Sequence, residues 1–399
     1  MRKNRVLYFL LFFASLIFVY FYGGKIPYTL FYLVILLPLV SLVYSIYVFF
    51  RFKFIEEIDK KFVTKGDIVN YSFSIHNEDI LLYPYFNIAF FGDKTIFAKH
   101  FMPVSFSLIP KKDKKYSFTL ECNYRGVYNV GIKYFEVEDL LGIFRLRYRA
   151  ISPKVITVYP RIVELERFNI KTNFMSESHS ILNQKFEDLT TISDIRNYTY
   201  GDSLKKIHWK LSGKLNKLMV KNFQSTSETT ATIILDLKKN NYSYEENTII
   251  EDRIIESALS VIYFCLRNWI HTKLLFFNES LVEIEGDNSK DFDEIYRILA
   301  RISFNNSIDV KDILKIYLEG NIQQNNIFIF TCNLNYELYD HLFKFKLSGC
   351  EVTVIYTSPE DLTGVKDADV ENILSFLPEI GIHVYKLNIH DDIKAVLER

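Results

Sequence analysis

The chain has 399 residues, 48 basic and 48 acidic side chains that cancel to a formal charge of zero, and four cysteines. That length accommodates two or three domains with a sizeable core, and the balanced charge gives no whole-chain argument for nucleic-acid binding. Cys122, Cys265, Cys332 and Cys350 show no C-x-x-C spacing, which fits a reducing compartment and argues against a disulfide scaffold or a zinc ribbon.

Residues 6–22 carry no charge, and neither do residues 26–50. Each run is near the roughly 20 residues a helix needs to cross a bilayer, and the second run argues against a cleaved signal peptide. Gly23-Gly24-Lys25 leaves room only for a turn. Pro38 is expected to kink the second span without breaking it. Arg2, Lys3 and Arg5 precede the first span and Arg51 and Lys53 follow the second, whereas the loop between them holds only Lys25. The positive-inside rule then places both ends in the cytoplasm. Residues 1–53 are expected to form a transmembrane hairpin in the cell membrane, with everything after them cytosolic.

Residues 54–162 alternate apolar and polar positions in short runs, at 69–75, 85–90 and 116–120. Turn signals separate them: His76-Asn77-Glu78-Asp79, Gly92-Asp93 and Pro110-Lys111-Lys112-Asp113. The spacing predicts an all-β, sandwich-like domain. Gly126 and Gly142 read as turn and bulge positions rather than ligand contacts. Residues 164–188 are polar and lack periodicity, and 173–180 reads as a surface loop.

Residues 163–229 carry the most distinctive stretch. Between 193 and 221 there are seven cations (Arg196, Lys205, Lys206, Lys210, Lys214, Lys217, Lys221) against Asp194 and Asp202. Tyr200-Gly201-Asp202-Ser203 reads as a turn and helix start. Leu204, Ile207 and Leu211 follow at helical spacing, and Ser212-Gly213 is expected to close the helix. Trp209, flanked by cations, reads as a packing anchor with snorkelling lysines, and His208 as a hydrogen-bonded structural residue rather than a general base. Lys205, Lys206, Lys210 and Lys214 would form an electrostatic face for a protein partner or for anionic lipid.

Phe186, Asp188, Arg196-Asn197-Tyr198, Gly201-Asp202 and Ile207-His208-Trp209-Lys210 together resemble the signature of the domain of unknown function 58 family. Arg125-Gly126-Val127-Tyr128, Asp139-Leu140-Leu141-Gly142-Ile143-Phe144 and Tyr159-Pro160-Arg161 are similar to further recurrent elements of that family, with Leu140 where proline is frequent. The resemblance implies a membrane-anchored prokaryotic protein with a von Willebrand factor A-like C-terminal domain and a MoxR-type AAA+ ATPase partner. It implies no reaction, since no activity is established for the family. On this reading Arg196 and Asp202 would be a pair fixing the turn, and Arg196→Ala or Trp209→Ala would damage folding as well as binding.

In residues 230–399 strands and helices alternate, which implies a mostly parallel sheet covered on both faces. Strands are expected at 231–237, 273–277, 327–330, 352–356 and 382–387, with a short pair around 281–284. Helices are expected at 248–269, 292–302, 310–318, 336–347 and 370–376, with a last one ending at 397. With the resemblance, the domain is expected to be von Willebrand A-like (Rossmann-like). Metal-binding members of that fold use D-x-S-x-S at the end of the first strand, with Thr and Asp on later loops, because hard divalent cations need convergent oxygens. Here Asp236 is in place, but Lys238 and Asn240 replace the serines and Thr331-Cys332-Asn333 lacks the later acid. An ammonium at Lys238 could pair with Asp236 and take the ion's place, so no metal or other cofactor is expected.

No G-x-x-x-x-G-K-[ST], H-E-x-x-H or G-x-S-x-G occurs. Cys332 at a strand end, with His341 following, keeps open a thiol-dependent hydrolase or transferase. Tyr198, Tyr200 and Trp209 among the cations would suit single-stranded nucleic acid, but the membrane anchor and the acidic remainder of the chain oppose that. The expectation is a non-enzymatic, membrane-anchored adaptor or scaffold.

Overall fold

A computed structural model describes residues 2–91, 103–149, 153–171, 187–199, 207–225, 230–318 and 325–399. The chain divides into two compact units. The first comprises Met1–Arg161 with Ser243–Asp252 and Tyr296–Ile302; the second comprises Ile162–Tyr242, Arg253–Ile295 and Ser303–Arg399.

The first unit begins with helices α1 (Arg2–Tyr22) and α2 (Lys25–Arg51), both long and apolar enough to cross a membrane. Little of either is covered by the rest of the chain, as suits lipid-facing helices better than core helices. Pro38 lies inside an unbroken α2. Its missing N–H leaves the carbonyl of Val34, one turn earlier, without its usual donor. The Tyr8 hydroxyl of α1 donates to that carbonyl at 3.4 Å.

Nine strands follow: β1 (Lys53–Ile58), β2 (Phe62–Thr64), β3 (Ile68–His76), β4 (Tyr83–Phe91), β5 (Val104–Leu108), β6 (Asp113–Glu121), β7 (Gly126–Glu138), β8 (Arg145–Arg149) and β9 (Lys154–Tyr159). They form one sheet ordered β1-β3-β6 and another ordered β2-β9-β7-β4-β5, with β8 paired to β7. Alternation along β3 turns Val69, Tyr71, Phe73 and Ile75 inward, onto Phe86 and Ile88 of β4, Val130, Ile132 and Phe135 of β7, and Ile156 and Val158 of β9. Val48 of α2 belongs to the same core. The period-2 pattern thus yields the sandwich it predicts. At Gly131 (φ 106°) β7 passes from its pairing with β9 to its pairing with β4, and a Cβ there would sit 2.7 Å from Oε1 of Glu56.

The second unit holds β10 (Glu187–Asn197), α3 (Trp209–Leu215), β11 (Met219–Ser225), β12 (Thr230–Leu235), most of α4 (Tyr244–Arg267), β13 (His271–Asn278), β14 (Ser280–Gly286) and the start of α5 (Phe292–Arg301). It continues with α6 (Val310–Leu318), β15 (Asn326–Thr331), α7 (Tyr336–Leu347), β16 (Glu351–Thr357), α8 (Glu360–Thr363), α9 (Ala368–Glu379), β17 (His383–Leu387) and α10 (Ile393–Leu397). The main sheet runs β14-β13-β12-β15-β16-β17; only β14 is antiparallel to its neighbour. Its central strand β15 is buried throughout and β12 from Ala231 onwards, as near-continuous apolar runs require. Chain order reverses between β12 and β15, so their carboxyl ends open the crevice where such sheets bind ligands.

The expected turn and helix start at 200–203 lie outside the described residues, and the helix that is described starts at Trp209, with Ile207 held in an antiparallel bridge to Val220. It does not close at Ser212-Gly213: the Ser212 hydroxyl accepts from the N–H of Met219 at 2.9 Å, and the left-handed residue ending the helix is Asn216 (φ 52°).

Candidate functional site

Two places in the second unit gather the residues singled out from the sequence. At the strand-end crevice Asp236 follows β12, and Thr331 and Asn333 lie at the end of β15 and just beyond it. Asp236 Oδ2 accepts from Thr331 Oγ1 at 2.6 Å and Asn333 Nδ2 at 3.1 Å, while Oδ1 accepts from the Lys238 N–H at 3.1 Å. Burial holds this carboxyl above the ordinary carboxylate range, against the pull of those three hydrogen bonds. The Lys238 ammonium does not pair with Asp236 as expected; it pairs with Asp309, which also lies 3.7 Å from Lys311. A parallel bridge between Lys238 and Asn306 sets that direction, carrying the lysine towards the start of α6. Asp309 has no sequence motif that would have marked it.

Asn240 donates through Nδ2 to Cys332 Sγ at 3.1 Å, and both residues are buried. The donor set around Asp236 is one carboxylate, one hydroxyl, one amide and a backbone N–H. That does not fit a hard divalent cation, which needs several convergent anionic or carbonyl oxygens. Among the described residues, no group of three or more His, Cys, Asp or Glu side chains is arranged to hold a metal ion.

The second place is the signature stretch. β10 pairs antiparallel with β11, bringing Arg196 opposite Val220 and Asn197 opposite Met219. The hairpin is extended by the N–H of Tyr198 to the carbonyl of Leu218 and by the N–H of His208 to that of Met219, both at 2.8 Å. Arg196 Nη1 donates to the Asn197 carbonyl at 3.2 Å and to Thr199 Oγ1 at 3.1 Å. His208 caps α3, its Nδ1 accepting from the Leu211 N–H at 3.2 Å. Gly201, Asp202, Lys205 and Lys206 lie outside the described residues, as do Phe186, Tyr200, the Gly92-Asp93 turn and residues 173–180.

Trp209 is not the packing anchor that its neighbours suggested. It is 68% exposed, and Leu215, Leu218, Lys210, Lys214 and Lys217 in the same stretch are exposed too. The cause is register: starting the helix at Trp209 gives the inward positions to Leu211 and to Ser212, whose hydroxyl is engaged by β11.

The first unit contains a charged cluster that the sequence did not reveal. Arg125, fully buried, donates through Nη1 to the carbonyls of Leu299 at 3.0 Å and Ile302 at 2.8 Å, at the C-terminal end of α5. Its backbone N–H donates to Asp252 Oδ1 at 3.0 Å, and Asp252 Oδ2 pairs with Lys65. Burial lowers the guanidinium's affinity for its proton, opposed by Asp252 and Glu251. The Glu251 carboxyl is pushed up to about 7, chiefly by burial, with Arg125 pulling the other way. Only the neighbouring R-G-x-Y pattern marked this position, and it says nothing about partners that lie far along the chain.

The family described as Protein of unknown function DUF58 matches residues 194–303. The match covers the signature from Arg196 to Lys210 and the strands β12 to β14. No curated protein matches the chain. Among solved structures, a beta-glucosidase from Listeria innocua aligns with 27% of this chain at 11% identity and a TM-score of 0.17; the chain spans 16% of that protein. A GH20 exo beta-N-acetylglucosaminidase from Vibrio harveyi aligns with 84% of this chain and 56% of its own, at 9% identity and a TM-score of 0.19. Likeness at that level transfers neither fold nor activity.

Proposed function

We propose that this chain is a non-enzymatic adaptor anchored in the cell membrane by α1 and α2. Both ends of the hairpin face the cytoplasm, and the sandwich and a von Willebrand factor A-like α/β unit are displayed to a protein partner, a MoxR-type AAA+ ATPase. The observation that carries the reading is the exposure of Trp209, in a short stretch where Leu215, Leu218, Lys210, Lys214 and Lys217 are exposed as well. An exposed tryptophan costs solvation free energy unless something covers it, and tryptophan is among the side chains most enriched at the centres of interfaces. Lysines around such a centre raise the on-rate and fix orientation towards an acidic partner.

The α/β reading is supported by the strand order, by the single antiparallel edge strand and by Asp236 at the end of the first strand of that sheet. The hydrogen bonds already closing around Asp236 favour a structural use of that position over an ion-dependent one. Orientation rests on the asymmetry between Arg2, Lys3, Arg5, Arg51 and Lys53 at one end and Lys25 at the other.

The test is purification of tagged full-length protein from its native membrane in mild detergent, with bound proteins identified by mass spectrometry in different nucleotide states. An ATP-dependent AAA+ partner that is lost from Trp209→Ala or Lys210→Glu, while the fold is retained, is the expected result. A preparation free of partners in every nucleotide state would overturn the reading.

A further inference from the structure

The loops of the sandwich that face the anchor carry an apolar surface, and its position relative to α1 and α2 indicates what covers it. The loop 139–144 is clasped by both helices. Asp139, completely buried, accepts from Ser41 Oγ of α2 at 2.8 Å and from the N–H groups of Leu141, Ile143 and Phe144 at 3.3, 2.6 and 2.7 Å. From α1, Asn4 Nδ2 donates to the Leu141 carbonyl at 3.0 Å and Arg5 Nε to the Ile143 carbonyl at 2.8 Å. Gly142 (φ 67°) lies so close to Asn4 Nδ2 that no side chain fits between them. A second loop, 77–82, runs beside the next turns of α2: Tyr44 donates to the Leu82 carbonyl, and Arg51 pairs with Asp79 at 3.0 Å.

These contacts lie well below the top of α2, so they shorten the part of the hairpin left free to span. Beyond the clasp, α1 keeps residues 6–22, about 26 Å of helix, and α2 keeps residues 25–40, about 24 Å. A hydrocarbon core is about 30 Å thick, so the two helices fall short by the depth of roughly one loop. The two loops held against the helices carry apolar, uncovered side chains: Ile80 is 79% exposed, Leu140 54%, and Leu81 and Leu82 are exposed too. Polar groups of the same loops have partners within the protein, Asp139 its four donors and Asp79 the Arg51 guanidinium and the Tyr83 hydroxyl, as groups leaving water require. Lys111 and Lys112, in the adjacent turn, are exposed and suited to anionic headgroups.

We propose that this end of the sandwich is itself seated in the bilayer, with Ile80, Leu81, Leu82 and Leu140 among the acyl chains beside the hairpin. The unit is then embedded at its base rather than tethered above the surface. This rests on the reading that α1 and α2 span the membrane.

The experiment uses full-length protein with Trp209→Phe and Trp269→Phe, reconstituted in phosphatidylcholine–phosphatidylglycerol vesicles carrying lipids brominated either near the headgroup end or at the middle of the acyl chain. Single tryptophans are introduced by Ile80→Trp and Leu140→Trp, two exposed positions where a larger ring displaces no packing. Leu36→Trp in α2 reports the anchor, and Ile68→Trp, at the end of β3 remote from His76, reports the bulk-water side. Emission from Ile80→Trp and Leu140→Trp should fall strongly on bromination, as it does for Leu36→Trp, while Ile68→Trp stays unchanged. Quenching of Leu36→Trp alone would overturn the embedding and leave the anchor intact, pointing to a protein covering these loops. No quenching at Leu36→Trp would remove the anchor itself and the proposal with it.

Discussion

A guanidinium shut off from water must find all its acceptors within the protein, and Arg125 finds two at a helix C-terminus, where the carbonyl dipoles favour a cation. Arg125→Ala leaves those carbonyls short of a donor and removes the buried positive charge near Asp252, whose bond from the residue 125 backbone N–H it keeps, and should destabilise the full chain by about 3 kcal/mol or more in denaturant titrations. Arg125→Lys should recover only part of that, since an ammonium on a different stem does not reproduce the planar fork. Glu251 gives the same cluster a pH dependence of defined sign. Its carboxyl holds a proton more tightly in the folded chain (about 7) than its ordinary value of 4.5. The contribution is therefore complete below about 4.5 and drains away as pH rises through 7. Between pH 5 and pH 8 the wild type should lose on the order of 2–3 kcal/mol relative to Glu251→Gln. Taking the difference between the two proteins separates this from Asp236, whose carboxyl is also raised. A flat difference across that window would show that Glu251 is hydrated. At Asp236, Thr331→Val removes one of three donors and should cost about 1–2 kcal/mol. Magnesium or manganese should leave the melting temperature of the full chain unchanged, and a saturable rise abolished in Asp236→Ala would contradict that.

Helix α3 is only seven residues long and too short to persist by itself, so it is held by its ends and by β11. His208 supplies one end, Asn216 the other, and Ser212 the side contact. Asn216→Ala forces an alanine into a left-handed conformation and should cost about 1 kcal/mol, whereas Asn216→Gly should be neutral or better. Trp209, by contrast, contributes little to the fold. Trp209→Ala should change stability by no more than about 0.5 kcal/mol while abolishing partner recovery; a large loss of stability would return it to the role of packing anchor. The expectation that this substitution would damage folding therefore gives way to one in which folding and binding separate.

For the whole chain, the two apolar helices and the sandwich belong to one compact unit, so these helices are continuous with a folded domain rather than joined to it by a linker. Val48 in the sandwich core and the clasp around Asp139 have one consequence for stability. Ser41→Ala takes away the one donor to Asp139 that comes from α2. Hydrogen exchange in loop 139–144 of the vesicle-reconstituted protein should then rise, while the sheet of the second unit keeps its protection. Equal acceleration in both units would show a global loss of stability instead.

The two long apolar helices, the strands of the first unit and the alternating α/β segment could all be read from the amino-acid order, because hydropathy runs and periods of 2 and 3.6 residues are local properties. So could the thinning of oxygen ligands after Asp236, since that is a matter of which residues are present. Pairings between distant positions could not. Lys238 turns to Asp309 and not to Asp236, Arg125 reaches carbonyls more than 170 positions away, and Trp209 faces outward. Each depends on strand register and helix start, which are fixed by burial summed over the whole core, and no local pattern encodes that sum. The clasp of α1 and α2 on loop 139–144 belongs to the same class. Sequence marks Gly142 as a turn position, and only the assembled unit places Ser41 of α2 against Asp139 in the same loop.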